Sequence, residues 1–143
     1  MSTAEAGQTP PQNVTPYELI GGEETLRAIV ARFYDIMDSE PEAARIRAMH
    51  GDDLSDMRQR LFEFLSGWLG GPPLYFRRPD RKCIMSAHRP FPITEVERDE
   101  WMLCMRRAMD GCGVTGDLRA LLDQAFLRMA DGMRNRPNRP AAG

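Results

Sequence analysis

The two histidines, His50 and His88, are the first candidates for chemistry. They are the only histidines in the sequence of 143 residues, so each can be considered singly. His88 lies in the segment Ser-Ala-His-Arg-Pro-Phe-Pro, which is short, apolar and broken by prolines, and His50 lies between Met49 and Gly51. A neutral imidazole nitrogen can bind a transition metal, and histidine is also the usual acid–base group near neutral pH. Local sequence by itself favours simpler interpretations: His88 as an inert histidine packed and hydrogen-bonded at a helix end, and His50 as a half-exposed residue at the end of a helix.

The other ionisable and flexible groups have ordinary structural explanations. The acidic pairs at 23–24 and 52–53 fall at predicted helix starts, where negative charge complements the helix dipole. The glycine pairs at 21–22 and 70–71 follow predicted helices, which is typical of C-caps rather than of phosphate-binding loops. The three cysteines lack the spacing of a zinc site or of a small disulfide scaffold. None of these groups predicts an active site.

The composition indicates one globular domain. Hydrophobic residues make up 42% and charged residues 28% of the chain, and the formal net charge is -2. Without a cationic surplus, binding to nucleic acid or to an anionic membrane is not expected. No run approaches 18 apolar residues, so no transmembrane helix is expected either. The N-terminus lacks the pattern of a secretory signal, and ten methionines favour a reducing compartment, so we expect a cytoplasmic protein.

The periodicity of apolar residues predicts an all-α domain over residues 16–134, with flexible tails at 1–15 and 135–143. Apolar positions recur at the three- and four-residue spacing of one buried helix face, and alternating β patterns are rare. Helices are predicted at 16–20, at 23–38, at 41–49, from a cap at Asp52 or Asp53 to residue 69, at 94–110 and at 116–134.

A long connection separates two of these helices. Residues 72–92 contain five prolines and one short apolar run, which predicts an ordered loop with about two turns of helix before His88. Long connections inside a compact domain are usually either functional or disordered. The composition and periodicity of the chain therefore end at a helical domain with an unusual loop around a histidine.

Four segments occur together in one order along the chain. They are Phe33-Tyr34, then Leu-Ser-Gly-Trp-Leu-Gly-Gly-Pro at 65–72, Ala-His-Arg-Pro-Phe at 87–91 and Glu-Arg-Asp-Glu-Trp at 97–101. This set resembles the truncated haemoglobins of the second group, over about residues 16–133. The resemblance implies an all-α truncated globin-like fold, a two-over-two helical sandwich around haem.

The resemblance also implies roles for individual residues. His88 matches the proximal ligand of the iron, and the haem is expected to be a non-covalent haem b because no Cys-x-x-Cys-His motif is present. Tyr34, Trp101 and His50 match the distal positions, where O–H and N–H donors meet the negative charge on bound dioxygen. Without the resemblance, the two aromatic residues would be interpreted as core.

Four further residues are implied to contact the cofactor. Arg60 and Tyr75 are candidate partners of the haem propionates, although a solvated helix charge explains Arg60 equally well. Leu61 is expected to pack on the porphyrin. Met57 either shapes the pocket wall or, as an alternative, coordinates the iron through its sulfur.

One segment departs from the pattern. Many relatives carry several arginines directly before the proximal histidine, whereas this chain has Cys-Ile-Met-Ser-Ala at 83–87. The floor of the site is therefore expected to be more apolar. A thiolate ligand from Cys83 is an alternative, but a buried cysteine without a nearby cation is normally protonated.

The function implied is reversible binding of dioxygen and other diatomic ligands, such as nitric oxide and carbon monoxide, with slow release. An alternative is a redox enzyme, either a nitric oxide dioxygenase or a peroxidase-like protein, which would depend on a reductase partner. A third interpretation is a helical interaction module that has lost haem. A monomer or a weak homodimer is expected.

Overall fold

The computed structural model describes residues 14–136, except for the side chain of Met85, and this part of the chain is helical without strands. The α-helices are α1 (Pro16–Ile20), α2 (Gly22–Ser39), α3 (Ala44–Ala48), α4 (Ser55–Trp68), α5 (Ile84–His88), α6 (Glu95–Gly111) and α7 (Gly116–Gly132). Two 3-10 turns span Pro41–Ala43 and Tyr75–Arg77. The all-α prediction is confirmed. The predicted tails at 1–15 and 135–143 lie almost entirely outside the described residues.

Two helix pairs form the body of the fold. Helix α2 packs against α4, α6 packs against α7, and α2 and α6 meet between the two pairs. The helices bury the apolar faces that the periodicity predicts, because removing apolar surface from water is favourable. Phe33, Leu65 and Met105 are completely buried, and full burial of such side chains stabilises a fold by about 1.5–3 kcal/mol each.

Two helix starts follow the capping chemistry of the sequence. Thr15 caps α1 and Thr94 caps α6, each in a capping box with a glutamate three residues later. At α4, the N-cap residue is Leu54, which makes no side-chain cap hydrogen bond, so the cap predicted at Asp52 or Asp53 is wrong; the side chain of Asp53 instead accepts a hydrogen bond from the backbone N–H of Ser55 at 2.9 Å from just before the cap. These caps fix where the helices enter the core.

Some boundaries differ from the sequence prediction. The predicted helix over 41–49 is a 3-10 turn followed by α3, because Ala43 has φ -108° and ψ 18°, outside the range of a continuous helix. Helix α7 ends at Gly132 rather than at residue 134. Because α3 ends at Ala48, His50 lies in the turn just after a helix rather than inside one.

The proline-rich connection is ordered by hydrogen bonds rather than by a large apolar core. The fully buried hydroxyl of Ser66 donates to the carbonyl of Pro72 at 2.7 Å and holds the start of the loop. At its end, Asn135 makes four hydrogen bonds with residues 88–93, two of them donated by its amide to the carbonyls of His88 and Phe91. Ordered contacts therefore continue to residue 135.

None of the helices in the described region is both long and apolar enough to serve as a membrane span.

Candidate functional site

Tyr34 lies on the inner face of α2 and has 4% of its surface exposed. Its ring meets the ring of Phe33 edge-on at a centroid distance of 5.0 Å and the ring of His50 at 6.0 Å. The hydroxyl makes no hydrogen bond to any residue that the structure describes. Burial raises the pKa of Tyr34 far above its ordinary value, so the phenol keeps its proton. Tyr34 is therefore a permanent donor without a protein partner in this region.

Trp101 lies on α6, and its side chain is half-buried. Its ring lies 5.2 Å from the ring of Phe33 and 5.8 Å from that of Phe126, measured between centroids. The indole N–H, like the Tyr34 hydroxyl, has no hydrogen-bond partner among residues 14–136. Since Phe33 contacts both Tyr34 and Trp101, two uncommitted donors are placed around one buried phenylalanine.

His50 follows α3, and its ring is half-buried. Its Nδ1 lies 2.7 Å from the carbonyl oxygen of Ile46, and because a carbonyl only accepts, Nδ1 carries the proton. The other nitrogen, Nε2, then presents a lone pair. Burial, with smaller contributions from the charges of Arg47 and His88, lowers the pKa of His50, whereas the hydrogen bond to Ile46 acts in the opposite direction. The neutral imidazole is favoured.

His88 is the last residue of α5 and is half-buried. Its Nδ1 lies 2.8 Å from the carbonyl oxygen of Ile84, one helical turn earlier, so the same argument places the proton on Nδ1. Fixing one ring nitrogen as a donor to a backbone carbonyl orients the ring and frees Nε2 as a metal ligand. His88 and His50 also lie within electrostatic reach, since the charge of one lowers the pKa of the other.

Helix α4 supplies an apolar wall and a paired cation. Met57 and Leu61, four residues apart on one face, are half-buried against the core. Arg60 points elsewhere, and its guanidinium binds the carboxylates of Asp56 at 2.7 Å and Asp80 at 3.1 Å. A propionate at Arg60 would have to share that cation with two aspartates.

Tyr75 is hydrogen-bonded to the backbone of Lys82, farther along the same loop. It is buried, and its hydroxyl donates to the carbonyl of Lys82 at 2.8 Å and accepts from the N–H of Lys82 at 3.2 Å. A surface depression of about 580 Å³ borders this loop and the start of α5. Its lining combines aromatic and apolar side chains with two cations: Tyr75, Phe76, Pro79, Arg81, Lys82, Cys83 and Ile84. Cys83 itself is exposed.

Sequence reasoning alone missed the groups that orient the two histidines. The carbonyls of Ile46 and Ile84 each lie four residues before a histidine, so the available signal was a histidine placed one turn after a helix start. Arg58 was also missed: its guanidinium carbon lies 5.8 Å from the centroid of the Tyr34 ring. No local pattern marks Arg58, because the contact joins α4 to α2.

Comparison with known proteins identifies the arrangement. The sequence profile of the bacterial-like globins matches residues 15–135. The chain belongs to the bacterial-like globin family. This globin is 38% identical over 107 residues to the group 2 truncated haemoglobin YjbI of Bacillus subtilis (strain 168). The aligned region covers 75% of this chain and 78% of that relative.

Solved structures show the same fold. A group II 2-on-2 haemoglobin from the plant pathogen Agrobacterium tumefaciens superimposes with a TM-score of 0.81 at 43% identity, covering 89% of this globin and 98% of that chain. A truncated oxygen-avid haemoglobin from Bacillus subtilis superimposes with a TM-score of 0.77 at 36% identity, covering 85% of this globin and 100% of that chain. The two-over-two globin fold implied by the resemblance is confirmed.

Membership of this globin family implies haem with its iron, and small diatomic ligands such as dioxygen. The described residues fit that group. His88 offers an unprotonated Nε2, and Tyr34 and Trp101 offer donors that no group in the described region uses. Both donors are therefore available to a bound ligand that accepts a hydrogen bond.

Proposed function

We propose that this globin holds haem b non-covalently through His88, binds dioxygen reversibly, and releases it slowly. The observation that carries the proposal is the pair of uncommitted donors, the Tyr34 hydroxyl and the Trp101 indole N–H, placed around Phe33. The likeness to an oxygen-avid haemoglobin from Bacillus subtilis supports the same function.

When bound, haem supplies ferrous iron, which binds dioxygen and shifts negative charge onto it. Tyr34 holds its proton on the phenol oxygen at every ordinary pH and donates it in a hydrogen bond to such a ligand. Trp101 donates from its indole nitrogen, and this group has no acceptor role to compete with that one. Hydrogen bonds to a charged acceptor contribute about 1.5–3 kcal/mol each, so each donor slows release by roughly tenfold to a hundredfold.

His88 is the proposed ligand of the iron. The Ile84 carbonyl holds the proton on Nδ1 and keeps Nε2 directed as a ligand, while Asn135 fixes the turn that follows the ring. Met57 and Leu61 provide apolar surface for the macrocycle, and Arg60 and Tyr75 are the proposed partners of the propionates. Arg60 would do so while bound to two aspartates, which weakens the positive charge it offers.

Buried aromatic side chains pack against both donor residues. Phe33 is completely buried and contacts the rings of Tyr34 and Trp101, and the ring of Phe126 contacts that of Trp101 as well. In such a site of low dielectric, a hydrogen bond to a charged ligand is stronger than in water. Slow release suits capture or sensing of dioxygen, and we propose that this takes place in the cytoplasm.

The absorption spectrum of the purified protein tests this proposal, recorded as isolated, after reduction, and after reduction with carbon monoxide. We expect a Soret band that shifts to a histidine–iron–carbonyl form. His88→Ala should abolish that well-defined spectrum or leave loosely bound haem. An unchanged Soret band in His88→Ala would remove His88 from the iron, and a wild-type protein that takes up no added hemin would overturn the function.

A further inference from the structure

We infer that helix α7 carries a self-association surface, and that its occupant is the same helix of a second copy of this chain, packed antiparallel to it. We name this surface the outer stripe, and it consists of Asp117, Leu121, Gln124 and Arg128. The inference concerns only the surface of the protein, so it is independent of the proposed function.

The outer stripe lies on the face of α7 that points away from the core. The helix buries Leu122, Phe126 and Ala130, and it packs against α6 and α1. The members of the outer stripe follow one another at intervals of four, three and four residues, which places them in one row along a helix of 3.6 residues per turn. All four are exposed, and Leu121 has 54% of its surface in contact with solvent.

The two ends of the outer stripe carry opposite charges. Asp117 lies in the first turn of α7, and Arg128 lies about three turns later. Neither side chain makes an ion pair or a hydrogen bond with any residue in 14–136. Other charges on the same helix are paired, since Arg119 binds two aspartates and Asp131 binds two arginines. Asp117 and Arg128 are therefore both available to a partner.

This order of charges is complementary to itself when two copies of α7 run antiparallel. In a two-fold symmetric contact, the same surface on both copies is used, so each pairing occurs twice. Asp117 of one copy then meets Arg128 of the second copy, and Leu121 meets Gln124. The two copies of Leu121 lie about 4.5 Å apart along the helix axes, which gives the contact an apolar centre. A parallel arrangement would bring two copies of Asp117 together, and repulsion disfavours it.

The size of the outer stripe predicts a weak dimer. One helix face against another is a small contact, and interfaces that bury less than about 1,200 Å² are typical of transient association. An exposed ion pair strengthens association by up to about fivefold, and symmetry supplies two of them. We therefore expect a reversible dimer that forms between micromolar and millimolar protein. Because both ion pairs are exposed, added salt should weaken it.

Reversal of the charges tests the pairing. Sedimentation velocity over that concentration range would be recorded on the full-length protein in wild type, Asp117→Arg, Arg128→Asp and the variant with both changes. Each single change turns two attractions into two like-charge contacts, so we expect the association constant to fall by about tenfold or more. The double variant restores both pairs with their signs exchanged, so its association should return close to that of wild type.

Arg106→Asp is the matched control. Arg106 is exposed on α6 and its side chain makes no ion pair in the described region, so this variant changes the net charge by the same amount as Arg128→Asp and leaves the outer stripe intact. We expect it to associate far more strongly than Arg128→Asp. Equal weakening in the two variants would show that net charge, rather than the outer stripe, controls association, and would overturn the inference.

Three other results would also overturn it. A wild-type protein that sediments as a monomer at every concentration would show that the outer stripe has no affinity for a second copy. A double variant as weak as the single variants would show that Asp117 and Arg128 do not meet. Association that strengthens with salt would mean that the ion pairs do not contribute. None of these measurements reports on haem, so such a failure is distinct from failure of the proposed function.

Discussion

Replacing Tyr34 by phenylalanine is expected to leave the stability of the ligand-free protein nearly unchanged and to speed release of dioxygen. The Tyr34 hydroxyl bonds to no described residue, and it is not among the buried polar atoms that lack a partner, so in the ligand-free protein it contributes neither a hydrogen bond nor an orphaned donor. The same hydroxyl is the proposed donor to bound dioxygen, so removing it should speed release of the ligand.

Phenylalanine keeps the ring and its edge contacts with Phe33 and His50, so little packing is lost. We therefore expect Tyr34→Phe to change the free energy of unfolding of the gas-free ferrous protein by no more than about 0.5 kcal/mol, the range typical of substitutions that remove no contact. One lost hydrogen bond to a charged acceptor, about 1.5–3 kcal/mol, should speed dioxygen release by roughly tenfold to a hundredfold.

Two measurements give these values. Urea unfolding of the ferrous protein under argon yields the free energy of unfolding, and displacement of dioxygen by carbon monoxide in stopped flow yields the dissociation rate. Tyr75→Phe is the matched control for stability. The Tyr75 hydroxyl makes two hydrogen bonds with the backbone of Lys82, so its removal should destabilise the protein by about 1 kcal/mol.

A loss of stability in Tyr34→Phe similar to that in Tyr75→Phe would refute the reasoning, because it would mean that the Tyr34 hydroxyl has a partner in the gas-free protein. An unchanged dissociation rate would refute the second half separately. It would show that dioxygen does not accept a hydrogen bond from Tyr34.

Three further predictions concern the Trp101 donor, the turn after His88 that Asn135 holds, and the ion pair between Glu63 and Arg78. Trp101→Phe keeps the contacts with Phe33 but removes the indole N–H, so dioxygen release measured by stopped flow should accelerate about tenfold or more; an unchanged rate would mean that Trp101 only packs. Asn135→Ala deletes side-chain bonds to residues 88–93 and should lower the free energy of unfolding by about 1–3 kcal/mol, with Asn135→Asp, which keeps the acceptor for Ile93, losing less. The hydrogen bond from Arg78 lowers the pKa of Glu63, so the pair stabilises the fold above the ordinary pKa of glutamate and this contribution disappears as pH falls through the lowered pKa. Stability measured against pH in wild type and Glu63→Gln should differ above that window and converge below it, and parallel curves would contradict the assignment.

The helices could be predicted from the sequence because each depends on local information. Thr94 and Glu97 lie three residues apart and determine the start of α6 without any distant contact. The apolar face of α2, which includes Leu26 and Phe33, repeats at helical spacing and is buried as expected. The break at Ala43 was not predictable in the same way, because it depends on packing of a short turn against α6.

The residues of the candidate site came from the resemblance, and the hydrogen bonds that orient them could not be predicted from the sequence. The resemblance selected Tyr34, Trp101, His50 and His88, whose roles stay predictions. The Ile46 carbonyl determines which ring nitrogen of His50 carries the proton. Because this carbonyl belongs to the backbone, no residue type in the sequence indicates the contact. Asn135 was assigned to a tail, because its partners lie more than 40 residues earlier and only folding brings them together.

Phe33 makes the two donors interdependent. Its ring touches that of Tyr34 at 5.0 Å and that of Trp101 at 5.2 Å, and it is completely enclosed, so a change in its volume moves both neighbours. Substitutions at these positions are coupled through one shared contact, and the effects of combining them will not add. Tyr34 and Trp101 therefore act as a set, in which a substitution at one donor changes the effect of every substitution at the other.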